Sequence, residues 1–111
     1  MKNIEKAEMH RDMVEMELVE TEHFLQIMIS SDMATLHEVE DIENAIRELR
    51  RELDRAGDEV KIARLECAFV NLSDKELRGL ITSKNTDWKV KEASQRIKDQ
   101  RQERKIEREV A

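Results

Sequence analysis

The chain contains no proline and no tyrosine, two glycines, one cysteine, and only three large aromatic rings in 111 residues. So few breakers, beside 41% charged residues, belong to long helices and coiled coils rather than to a compact mixed fold. The rings are Phe24, Phe69 and Trp88, too few for a large central core, so other copies or a partner are expected to complete the burial. With Gly57 and Gly79 as the only glycines, no glycine-rich phosphate loop exists. Cys67 stands alone, which excludes an internal disulfide and suits a reduced, cytoplasmic setting. No stretch approaches the roughly 20 apolar residues of a membrane span, and the first residues carry no signal-peptide apolar region.

What is present is a heptad. Val39, Ile42, Ile46, Leu49, Leu53, Ala56, Val60, Ala63, Cys67 and Val70 alternate three- and four-residue steps without a miss. Apolar side chains at that spacing form a narrow seam on one helix face, and such a seam has to be buried against another helix. Ile46, Leu49, Leu53, Val60, Ala63, Cys67 and Val70 are therefore the expected oligomer or partner interface. Along its flanks lie Glu52, Glu59 and Glu66 on one side, Arg50 and Arg64 on the other. Parallel copies would set Glu59 near Arg64 of the next copy, whereas antiparallel copies would oppose like charges.

The fold class expected is all-α and oligomeric: an antiparallel helical hairpin with a long coiled-coil central helix, a short third helix and a C-terminal helix. The spacing predicts helices over about 4–30, 35–72, 74–82 and 87–97 in one domain of residues 1–97, with 98–111 a charged helical or frayed tail. Ile4, Ala7, Val14, Leu18, Thr21, Leu25 and Met28 give the first helix its own seam, interrupted by Arg11. A second row, Met9, Met13, Met16, Phe24 and Ile27, lies on another face and implies a second neighbour. Ser30-Ser31-Asp32 reads as the turn, and Thr35-Leu36-His37-Glu38 as a capping box opening the second helix. So short a connection makes the two helices antiparallel neighbours, with Glu15 expected near Arg50. Gly57-Asp58 could break the second helix, but the seam passes it in register, which favours one continuous helix. Ser73-Asp74-Lys75-Glu76 is a second capping box, and Asp87 suits the start of the last helix.

Few constellations point to chemistry. Glu20-Thr-Glu-His23 has the Glu-x-x-His spacing of di-iron bundles, yet no second copy of the motif exists and only Glu43 is placed to help. His10 and His37 lack a third ligand, and zinc wants four donors in fixed geometry. Cys67, on an apolar seam without a nearby histidine, reads as inert core. We expect no enzymatic activity, no catalytic residue, no metal, no cofactor and no small-molecule substrate.

Charge is distributed unevenly. Residues 1–43 hold three basic against twelve acidic side chains, 44–83 balance at eight of each, and 84–111 hold nine basic against six acidic. The basic residues Lys61, Arg64, Lys84, Lys89 and Lys91 gather around Trp88 in sequence. Cations neutralise phosphates and an exposed indole stacks on an unpaired base. The favoured expectation for Trp88 itself is packing: an indole here fits the role of anchoring the last helix against Leu65, Phe69 and Leu72.

Lys61-Ile-Ala-Arg64-Leu65-Glu66, a turn, a short leucine-bearing piece, then Leu80-Ile-Thr-Ser and Asp87-Trp-Lys-Val90 resemble the UvsY-type recombination mediators of tailed phages over roughly residues 60–97. Arg64 matches that family's basic run. Ile62 stands where the family has its lysine, with Lys61 one place earlier, and Cys67-Ala68-Phe69 replaces its aromatic pair. The resemblance implies a ring-forming homo-oligomer that binds single-stranded DNA and helps load a recombinase, in the host cytoplasm if phage-encoded. The alternative expectation is a non-enzymatic coiled-coil adaptor or inhibitor that binds a host or partner protein, its acidic half imitating nucleic-acid charge.

Overall fold

The computed structural model describes residues 3–32 and 34–110. Among these residues the chain is all helical, with α1 (Asn3–Ser30), α2 (Leu36–Phe69), α3 (Asp74–Thr82) and α4 (Trp88–Val110), and no strand. It divides into two compact units whose boundary falls between Glu59 and Val60, inside α2. Helix α2 runs through Gly57-Asp58 without a break.

In the first unit the heptad positions decide what is buried. Val14 and Leu18 of α1 form one cluster with Ile46 and Leu49 of α2, flanked by the half-buried Leu25, Ile42 and Leu53. Burying each such side chain is worth about 1.5–3 kcal/mol, before the entropy of ordering it is subtracted. Arg11 interrupts the α1 seam by lying along the helix with its guanidinium 3.2 Å from Asp12 Oδ1. Arg50 approaches Glu22 at 4.0 Å, not Glu15 as the sequence suggests. Glu22 is half-buried beside the seam, whereas Glu15 is turned further out into solvent. Both members of the Arg50–Glu22 pair are substantially exposed, so it contributes only tenths of a kcal/mol.

Local chemistry ends α1 where the sequence places the turn. Ser31 N–H donates to the Ile27 carbonyl at 3.0 Å and its hydroxyl to the Met28 carbonyl at 2.8 Å. Asp32 follows at φ 56°, the left-handed conformation that asparagine and aspartate tolerate best among residues with a side chain. Thr35 Oγ1 then accepts the Glu38 amide at 3.2 Å and opens α2.

The second unit is organised by caps and one arginine. Ser73 Oγ accepts the Glu76 amide at 3.2 Å, and Glu76 Oε1 accepts the Ser73 amide at 3.4 Å, completing a capping box at α3. Asp87 Oδ1 accepts the Lys89 amide at 3.2 Å and starts α4. Val60, Ile62, Ala63, Leu77, Ala93 and Ile97 are buried, with Leu77 and Ala93 fully so. Ser94 is buried too, its hydroxyl satisfied by donating to the Val90 carbonyl at 2.8 Å.

One boundary differs from expectation: helix α2 stops at Phe69 rather than near residue 72. The last helix runs on to Val110, so the tail takes the helical of its two expected forms. Arg101 bears on the end of α2. Its guanidinium donates to the Val70 carbonyl (3.1 Å), the Leu72 carbonyl (2.6 Å) and Asp74 Oδ1 (2.7 Å), so a side chain of α4 satisfies the turn after α2.

Cys67 is exposed, contrary to its expected place in the core, and Val70 is 58% exposed. At 100° per residue Cys67 lies about 140–160° round the helix from Ile62, Leu65 and Phe69. The second unit buries that second apolar row, Ile62 fully and Leu65 and Phe69 partly, and leaves Cys67 outside.

Candidate nucleic-acid interface

Lys61 and Arg64 are one helical turn apart on α2, so both leave the same face. Asp87 caps α4, which puts Trp88, Lys89 and Val90 in its first turn. The packing of the second unit brings these two segments together. Lys61, Arg64, Leu65, Asp87, Lys89 and Val90 line an open groove of about 470 Å³. Its floor is apolar, from Leu65 and Val90, and its rim carries three cations and one carboxylate.

Trp88 is 55% exposed, and the Lys89 ammonium lies 5.7 Å from its ring centroid. The reading of Trp88 as the hydrophobic anchor of the last helix is thereby overturned. Leu77, Ala93 and Ile97 fill the core of this unit, while an indole on the first residue of α4 is left at its edge.

Of the five expected DNA-contacting residues, Lys61, Arg64 and Lys89 share the groove. Lys84 sits exposed on the turn between α3 and α4, and Lys91 is half-buried on α4; neither lines the groove. Sequence reasoning missed Asp87 as a groove residue, although its capping role placed it there. Another basic residue, Arg96, is drawn inward: it lies 3.6 Å from Glu66, whose side chain is only 11% exposed, and its Nε donates to Glu92 at 3.0 Å.

The seam residues separate into two groups. Ile46, Leu49, Val60 and Ala63 are buried and Leu53 is half-buried within the chain itself, while Cys67 and Val70 present their side chains outward. Among the described residues no three histidine, cysteine or carboxylate side chains converge on a metal position, Glu20 and His23 included. No helix among them is long and apolar enough to cross a membrane.

No family model, curated protein or solved structure matches this chain.

Proposed function

We propose that the chain is a non-enzymatic helical accessory protein that binds single-stranded DNA through its second unit. It works as a homo-oligomer and, on its resemblance to the UvsY-type mediators, assists the loading of a recombinase. In this reading α1 and the first part of α2 form an antiparallel helical hairpin, supported by the shared Val14, Leu18, Ile46 and Leu49 cluster.

One observation carries the reading: an exposed indole stands beside a groove that gathers Lys61, Arg64 and Lys89. The cations neutralise successive phosphates while the ring offers a stacking face to an unpaired base, a contact worth about 1–3 kcal/mol per base. A duplex keeps its bases stacked and cannot use that face, which makes the site selective for single strands. A chain of net charge −6 binds DNA weakly as a monomer, and an assembly that presents several grooves along one strand multiplies the affinity.

Trp88 is the sole tryptophan, so its own fluorescence reports the contact. Titration with a single-stranded oligonucleotide at low salt should quench it, and the effect should fade as salt rises. Arg64→Ala should weaken binding, and Trp88→Ala, followed by anisotropy of labelled DNA, should weaken it by at least tenfold. No binding at low salt by the folded protein, or equal affinity for duplex and single strand, would refute the proposal.

A further inference from the structure

Of the large apolar side chains that the structure leaves exposed, most of the bulk is on one helix. Met9, Met13, Met16, Phe24 and Ile27 of α1 are each at least 52% exposed. At 100° per residue they cluster on one face, opposite the Val14 and Leu18 face that packs against α2. The stripe is about 27 Å long at 1.5 Å per residue. It keeps heptad spacing from Met9 through Met13 and Met16 to Glu20, and then to Ile27. A second, uncovered seam on a helix that already has one partner is the geometry of a helix that takes two neighbours.

Charge decides which neighbour. Glu20 occupies a seam position, is exposed, and is flanked by Glu17 and Asp12. Helix α1 carries seven acidic and two basic side chains. A second copy of α1 docked in parallel would set Glu20 on Glu20 at the centre of the seam. Docked antiparallel about its midpoint, it would set each Glu20 against Met16 of the other copy. Both arrangements bury a carboxylate without a counter-ion while bringing two acidic helices together. We infer that the stripe is instead a docking surface for a basic amphipathic helix of a protein partner. Such a helix lays its apolar residues on the three methionines and presents lysine or arginine opposite Glu20. Unbranched thioethers adapt to differently shaped side chains, so this surface reads charge and amphipathicity more than sequence.

The probe is a fluorescein-labelled 21-residue leucine–lysine peptide of heptad pattern, titrated with the full chain in 0.15 M salt and followed by anisotropy. A leucine–glutamate peptide of the same pattern is the control. The first peptide should bind and the second should not. Met13→Gln combined with Met16→Gln preserves charge and helix propensity; it should weaken binding at least tenfold while circular dichroism is unchanged. Glu20→Lys should weaken it at least fivefold without removing an apolar group. Wild-type affinity in the methionine variant, or equal binding of the two peptides, overturns the inference. So does a dimer in sedimentation velocity that the methionine variant dissolves, because a second copy then occupies the stripe.

Discussion

Arg101→Ala tests whether one guanidinium holds the second unit's turn. In the folded chain it makes three charge-assisted contacts, to the Val70 and Leu72 carbonyls and to Asp74. Hydrogen bonds to charged groups contribute about 1.5–3 kcal/mol each where water cannot replace them. Here water replaces some of them. The Asp74 side chain is 71% exposed, so that ion pair is worth at most about 1 kcal/mol. The Val70 carbonyl also regains solvent when the guanidinium leaves, whereas the contact to the Leu72 carbonyl is partly buried. The net loss expected is about 2 kcal/mol. Arginine and alanine are both good helix formers, so helix propensity does not confound the comparison. For a chain of this size about 4 °C of melting temperature accompanies each kcal/mol, giving a fall of about 8 °C by circular dichroism at 222 nm. Arg101→Lys, which keeps the charge but not the fork, should fall between the two, and Asp74→Asn should cost only about 2 °C. A melting temperature for Arg101→Ala within about 1 °C of wild type would show that water serves these carbonyls equally well. Asp74→Asn as damaging as Arg101→Ala would show that the ion pair, not the carbonyls, carries the contact.

Leu77→Ala, at a fully buried position, should lower unfolding free energy by about 3 kcal/mol in urea denaturation. Gly57→Ala should raise it by about 0.5–1 kcal/mol, because the glycine is inside α2 and an added Cβ meets nothing within 4 Å. Cys67, exposed on α2, should react with Ellman's reagent in the native protein within tenfold of its rate in denaturant. A thiol held in the core would be protected far more strongly.

Helix starts were legible in the sequence because they are encoded locally. Ser73 with Glu76, Thr35 with Glu38, and Asp87 each name their own amide partner within three residues. The end of α2 was not, since Arg101 acts on residues 27 to 31 positions away and nothing in a charged tail singles it out. The misplacement of Cys67 has a different cause. Past Val60 the helix carries a second apolar row, Ile62, Leu65 and Phe69, on nearly the opposite face, and the second unit packs on that row instead. For the candidate interface, the sequence identified the residue types and the segments. Which of the five cations meet depended on how α4 packs on the end of α2: Lys61, Arg64 and Lys89 converge, while Lys84 stays on a turn. The exposure of Trp88 ran against the sequence, which favoured an indole docked on Leu65, Phe69 and Leu72; Leu77, Ala93 and Ile97 fill the core of the unit instead.

The last turns of α4 show what the Arg101 contact implies for variation. Residues 102–110 are all exposed, and none makes a tertiary contact comparable to that of Arg101. Several of their i,i+4 neighbours carry like charges, Glu103 with Glu107 and Arg104 with Arg108, which weakens rather than supports an isolated helix. The C-terminal nine of these positions are therefore nearly free of the constraint that folding places on the rest of the chain. Insertions, deletions and changes of charge should accumulate there without cost to stability, and a fused domain or label joined there disturbs neither core. Selection, where it acts on that stretch, has to come from something other than the fold.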